Sequence, residues 1–207
     1  IRLSSTAGLT VNDQILLLRM KGAAITTSNN SSFGTVTPLN EAGNYETGTI
    51  CSIKGDSVFL FHLLQNTYTP ATGKVQLVPF ASYVSANVTD TVKAAPWNNS
   101  TGTGGVIAIF TEQDLILNAP VYAGGSGYRG GNFQQSSGTC SDFAPANGYA
   151  YNAAFLTPQS GAAKGEGIAD VVSTQSGGRG APANGGGGGN NHNNSGGGGA
   201  NLNAGGT

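Results

Sequence analysis

The chain has 207 residues, a formal net charge of −1 and only 9% charged side chains, against about a quarter in ordinary soluble domains. Charge this sparse and balanced excludes a nucleic-acid binder working by bulk electrostatics, because no basic run is present to neutralise phosphates. It also separates the chain from highly charged disordered tails. No membrane insertion is expected, since the apolar runs, such as Ile15 to Leu18 and Val106 to Phe110, fall far short of the roughly 18 residues of a span.

The chain opens at Ile1 with no charged n-region and apolar stretch behind it, which reads as a processed product or a fragment. Residues 1–81 read as short strands separated by turns and predict a small β-barrel or sandwich. The compact apolar run Asp13 to Met20 is too short for a helix. Tyr45 to Ile53 alternates and meets Lys54-Gly55-Asp56 before Ser57 to Phe61. That pattern predicts a hairpin, because Gly55 accepts the positive φ of a tight turn. Lys74 to Pro79 predicts a further strand, stopped by a proline that donates nothing to a ladder.

Over residues 82–123 the apolar residues come in spaced groups: Val106 to Phe110, Leu115 to Leu117, then Val121-Tyr122, with polar corners between. Short strands with such corners suit the rungs of a parallel β-helix, with antiparallel hairpins as the alternative. No fixed-length repeat is visible.

Residues 124–207 differ in kind. Of the 34 glycines in the chain, 24 lie in residues 121–207, with runs at 185–189 and 196–199, and ten asparagines accompany them beyond residue 123. A flexible linker is one reading. Collagen is excluded, since glycine does not recur at every third position. The alternative is an ordered polyglycine-II-like bundle. Extended, three-per-turn helices without Cβ atoms approach closely and exchange backbone hydrogen bonds. Aromatic residues at Tyr128, Phe133, Phe143, Tyr149, Tyr151 and Phe155 would help offset glycine's large ordering entropy. The ordered bundle is the expectation adopted. The chain stops inside this glycine-rich tract, so the polypeptide is expected to continue past Thr207.

Chemistry-bearing constellations are scarce. Gly125 to Gly130 matches G-x-G-x-x-G, but no helical period follows to present N–H groups to a pyrophosphate, so no dinucleotide cofactor is expected. His62 sits between Phe61 and Leu63 as a structural residue, and His192 sits among Asn191 and Asn193 at a polar tip between two glycine runs. The six Asp and four Glu form no compact group for glycoside hydrolysis. Asp13, Asp114 and Asp170 lack the alternating spacing of a calcium loop. Neither an enzyme nor a bound cofactor or metal is expected. Cys51 and Cys140 allow one disulfide, with two isolated thiols equally compatible. Asn29, Asn30, Asn87, Asn98, Asn99 and Asn193 fit N-x-[ST], which matters only in a glycosylating pathway.

Several strings carry a resemblance: Leu3 to Gln14, Met20-Lys21-Gly22, Gly43 to Glu46, Gly104-Gly105-Val106, Gly127 to Gly131, Lys164 to Ala169, Gly178 to Asn184 and Asn191-His192-Asn193. In these the chain resembles large cell-surface proteins of Bacteroidota exported by the type 9 secretion system, of the gliding-motility-associated or adhesin-like kind. The glycine-rich part is also similar to regions of phage tail-fibre adhesins and receptor ectodomains in which polyglycine helices bundle. The resemblance implies an extracellular, multidomain surface protein handled by secretion machinery. It also implies that Asp56-Ser57-Val58 and Asp90-Thr91-Val92 resemble an Asp-Ser/Thr-apolar O-glycosylation signal, at Ser57 and Thr91.

The expectation is therefore an all-β, non-catalytic extracellular module, adhesive or structural. Its partners would be glycans or cell-surface proteins, and its candidate surface contacts are Tyr128, Arg129, Asn191, His192 and Asn193. Contacts of amides, hydroxyls and aromatic rings should depend little on salt. The alternatives are the N-terminal module of a polysaccharide-acting secreted enzyme, or a passive spacer. The oligomeric state is left open.

Overall fold

A computed structural model describes residues 1–133, 148–152, 161–190 and 195–200. Among them the regular elements are ten strands and two single turns of 3-10 helix, so the fold class is all-β. The chain divides into two compact units, Ile1–Met20 with Gly43–Gly127, and Lys21–Ala42 with Tyr128–Thr207. Residues 21–42, which composition groups with the first segment, thus belong with the glycine-rich part.

The first unit begins with β1 (Gln14–Lys21), β2 (Tyr45–Lys54), β3 (Ser57–Leu60) and β4 (Lys74–Phe80), in the sheet order β3-β2-β1-β4. The barrel-or-sandwich expectation is met only as far as this single four-stranded sheet. β2 and β3 form the predicted antiparallel hairpin, with Lys54 opposite Ser57 and Gly55 at φ 59° in the turn. A register shift between Ile50 and Ser52 breaks the simple alternation of β2. Ile15, Leu17, Ile50 and Val58 form the buried core, flanked by Leu3, Ile53, Leu60, Val75 and Leu77. β1 alternates strictly, but its inward set continues through Arg19, whose guanidinium donates to the Thr72 hydroxyl at 3.1 Å.

One boundary departs from expectation. β4 does not stop at Pro79 but runs through it to Phe80. It lies at the end of the sheet, where a missing N–H costs no ladder bond. From β4, the buried Gln76 side chain clasps Gly104, donating to its carbonyl at 3.1 Å and accepting from its N–H at 3.0 Å.

After β4 come six short strands, β5 (Ser82–Tyr83), β6 (Ala86–Val88), β7 (Val92–Lys93), β8 (Phe110–Thr111), β9 (Leu115–Leu117) and β10 (Val121–Tyr122). They pair in parallel, β5 with β8, β6 with β9 and β7 with β10. Ser82 faces Phe110, Ala86 faces Leu115 and Val92 faces Val121, each pair 28 or 29 positions apart. The near-constant offset lays residues 110–122 alongside residues 82–93 in one consistent parallel register. An Asn118 amide donates to the Asn87 side-chain oxygen at 2.9 Å, tying one corner to the corner beneath.

The second unit is built differently. Its small buried cluster is three alanines, Ala23, Ala169 and Ala183. Methyl groups bury too little area to hold a fold by themselves, so backbone hydrogen bonds and close packing carry the load. The run at 185–189 lies almost wholly buried, and its bonds rotate from residue to residue. The Gly186 carbonyl accepts from Gly165 at 2.9 Å, the Gly187 carbonyl accepts from Gly197 at 2.6 Å, Gly188 donates to Gly178 at 2.9 Å, and Gly189 returns to the first neighbour, donating to Ala162 at 3.0 Å. Contacts between neighbouring segments recur every third residue on both partners, as at 165/186 with 162/189, 197/187 with 200/184, and 166/129 with 163/132. A β-ladder would repeat every second residue. Most of these glycines leave no room for a side chain. A Cβ on Gly186 would overlap the Gly197 carbonyl, one on Gly187 the Arg179 carbonyl, and one on Gly131 the Ala163 carbonyl. Gly34 adds a positive φ of 83° against the Ala181 carbonyl, where no Cβ fits.

Candidate functional site

Two clusters of charged and aromatic side chains stand out in the glycine-rich unit. The first surrounds Lys164. Its ammonium donates to the carbonyls of Tyr149 and Gly178, each at 2.6 Å, and of Gly180, so that all three protons have acceptors. The same nitrogen lies 4.5 Å from the centre of the Phe33 ring, a distance at which a ring face attracts a cation. Burial pushes the Lys164 ammonium down to about 7, while the carbonyls and the ring favour its charged form. Phe33 itself is buried against the position a Cβ would occupy on Gly180. Tyr151 packs in the same way on Gly177 and donates its hydroxyl to the Gly189 carbonyl at 2.7 Å. Here the aromatic residues cover glycine backbone.

The second cluster contains two of the sequence-predicted contact residues. Tyr128 is half-buried, with the Lys21 ammonium 5.4 Å from its ring centre. Burial and the neighbouring Asp170 and Glu166 carboxylates push its phenol well above the ordinary tyrosine range. Lys21, almost wholly enclosed, donates to Asp170 at 3.1 Å. Arg129 is exposed and grips Glu166 through Nε at 3.1 Å and Nη2 at 2.6 Å, while its backbone N–H reaches the other carboxylate oxygen at 3.3 Å. Tyr128 and Arg129 thus belong to one charge-balanced cluster with Lys21, Glu166 and Asp170. The cluster joins three stretches of chain and leaves the Arg129 guanidinium facing solvent.

The remaining predicted residues are dispersed. Ser57 begins β3, half-buried, with its hydroxyl donating to the Asp56 carboxylate at 3.1 Å. Thr91 lies on the exposed corner between β6 and β7, its N–H bonded to the Asp90 carboxylate at 2.6 Å. Cys51 is exposed on β2, whereas Cys140 lies outside the described residues, as do Asn191, His192 and Asn193. Among the described residues no three His, Cys, Asp or Glu side chains are grouped to hold a metal ion, and no helix is long and apolar enough to cross a membrane.

The part that Asn184, Asn29 and Lys164 play in organising the glycine-rich unit was not readable from motifs, although Asn29 fits N-x-[ST]. Asn184 accepts from the Ile168 N–H at 2.9 Å and donates to the Ala200 carbonyl at 3.0 Å, bridging two segments with one side chain. Asn29 accepts from Tyr149 at 2.7 Å and Ala150 at 2.9 Å. For Lys164 the available signal was scarcity, since it is one of only six charged residues between 121 and 207. No family model, curated protein or solved structure matches the chain.

Proposed function

We propose that this chain is a non-catalytic module of a secreted cell-surface protein, with an adhesive or structural role. The observation that carries the reading is the three-residue recurrence of hydrogen bonds around the run at 185–189. A linker has no reason to bury glycine backbone and bond it in three directions. A load-bearing scaffold does, because it gains stiffness without bulk. On this reading the glycine-rich unit is a polyglycine-II-like bundle, whose three-per-turn helix matches the recurrence. The two stacked circuits of residues 82–127 form a short β-helix-like coil. The resemblance to surface proteins of the type 9 secretion pathway supplies the setting: outside the cell, delivered by secretion machinery, with Ser57 and Thr91 as glycan acceptors.

Ligand contact falls to neutral polar and aromatic groups, with the solvent-facing Arg129 beside Tyr128 as the charged exception. Tyr83 and Tyr122 are each about half exposed on the coil, and flat rings with a polar tip suit carbohydrate faces. A glycan array probed at low and at high ionic strength tests the reading. Binding to at least one glycan class with little loss in salt is the expected result. Binding to none would reduce the module to a passive spacer, and a steep salt dependence would overturn the neutral-contact mechanism.

A further inference from the structure

Asn184 stands directly before Gly185, and the only other asparagine followed by glycine is Asn147. An asparagine so placed carries its own nucleophile. The next amide nitrogen lies within reach of the side-chain carbonyl carbon, and glycine has no side chain to obstruct the approach. Attack forms a bond from the Gly185 nitrogen to the Asn184 Cγ and breaks the bond from Cγ to Nδ2. The Gly185 amide proton leaves with Nδ2 as ammonia, and a cyclic imide remains. Water then opens the ring at either carbonyl, giving aspartate or, with the main chain rerouted through the side-chain carbon, isoaspartate.

The fold withholds each part of this reaction. The Gly185 N–H donates to the Pro182 carbonyl at 2.8 Å, so the attacking nitrogen is engaged. The Asn184 carboxamide is fixed at both ends, with Oδ1 accepting from the Ile168 N–H at 2.9 Å and Nδ2 donating to the Ala200 carbonyl at 3.0 Å. The Ala200 N–H in turn bonds the Asn184 backbone carbonyl at 2.8 Å. Gly167 closes over both reacting groups: a Cβ built on it would lie 2.6 Å from Asn184 Oδ1 and from the Gly185 nitrogen. Swinging the carboxamide onto that nitrogen would break both side-chain bonds at a half-buried site, a loss that holds the closed unit in place.

We propose that Asn184 is a self-modification site gated by the fold, inert while the glycine-rich unit is closed and converted to aspartate or isoaspartate once it opens. The conversion runs one way because neither product rebuilds the site. Aspartate has no N–H for the Ala200 carbonyl and sets a charged oxygen against it. Isoaspartate adds a carbon to the main chain immediately before residues 185–189, whose backbone groups bond residues 165, 197, 178 and 162 in turn. Any opening that outlasts the chemistry is thereby made permanent, and the lifetime of the unit becomes a matter of rate.

Peptide mapping by mass spectrometry, on the full chain aged in native buffer and in guanidinium chloride, tests this. Proteolysis after lysine and arginine places Asn184 in the peptide starting at Gly180 and Asn147 in the one starting at Gly130. Asn147 lies outside the described residues and serves as the clock: ageing continues until it has converted in the denaturant. Conversion of Asn184 should be at least about tenfold slower in the native chain than in the denatured one, because it then waits on opening. After the denaturant is removed, chains that refold should hold Asn184 intact, and chains that do not should hold its products. Equal rates in the two conditions would overturn the proposal. So would an Asn184 that stays intact in denaturant while Asn147 converts, or products spread evenly between refolded and unrefolded chains.

Discussion

Lys164 and Phe33 form a cation–ring pair at 4.5 Å inside a chain region that holds few other large side chains. The ammonium also collects the carbonyls of Tyr149, Gly178 and Gly180, so one side chain ties three backbone segments and one ring together. Replacing it with methionine keeps the stem and deletes the donor. The Tyr149 and Gly178 carbonyls keep backbone donors, Gly180 at 2.9 Å and Gly188 at 2.9 Å, so the loss falls mainly on the Gly180 carbonyl, and a buried carbonyl without its partner costs about 1–3 kcal/mol. Lys164→Met should therefore destabilise the glycine-rich unit by about 1–2 kcal/mol, read as a lower denaturation midpoint.

Glycines packed against neighbouring backbone should separate sharply from glycines with open space around them. A Cβ at Gly186 would overlap the Gly197 carbonyl, whereas one at Gly198 meets nothing within 4 Å. Gly186→Ala is expected to cost about 3 kcal/mol, since backbone on a neighbouring segment must move. Gly198→Ala should change stability by no more than about 0.5 kcal/mol. Thermal melts of the two single variants make the comparison.

Amide exchange provides a test that needs no mutation. The N–H groups of Gly165, Gly188, Gly189, Gly197 and Ala200 all donate to backbone carbonyls of other segments, and exchange from such sites requires local or global opening. Slow exchange at these five amides is the expected result. Exchange at the rate of a free chain would mean that these backbone bonds do not persist in solution and would overturn the proposed scaffold.

The acid response of the first unit follows from Glu46. Its slight burial raises the carboxyl, but donors from the Gln65 and Asn66 backbone, at 2.7 and 2.8 Å, outweigh this and hold it below the usual glutamate range. A folded value below the unfolded one means that the unfolded chain binds protons first. The stabilisation is thus complete above about pH 4.3, the unperturbed value, and fades as pH falls through the folded value. The amide proton shifts of Gln65 and Asn66 should titrate together in that acid range, and Glu46→Gln should remove the transition.

How much of this was legible in the sequence depends on whether side chains carried the signal. The β2–β3 hairpin was readable because alternation and Gly55 agree. The inward placement of Arg19, 2% exposed, was not, since a charge at a core position breaks the hydrophobic pattern it belongs to. The parallel pairing of residues 82–93 with 110–122 was visible only as spaced apolar groups. Corners of slightly different length gave offsets of 28 and 29 instead of one period. The glycine runs suggested an extended, three-per-turn chain, but which neighbour each amide bonds left no trace in the letters, because a residue without a side chain writes no periodicity. Of the predicted contact residues, Tyr128 and Arg129 do meet, through Glu166, Asp170 and Lys21. Glu166 and Lys21 are distant from them in sequence, and no local motif joins them.

The rotation of bonding direction along residues 186–189 has an evolutionary corollary. On the proposed three-per-turn conformation, adding or losing one residue would turn every later amide by a third of a revolution and aim it at the wrong neighbour. Changes of three, matched on facing segments, would restore each amide to its own acceptor. Such a bundle can therefore lengthen or shorten by whole turns while remaining closed to substitution, so drift in this part of the chain should appear as quantised insertions and deletions.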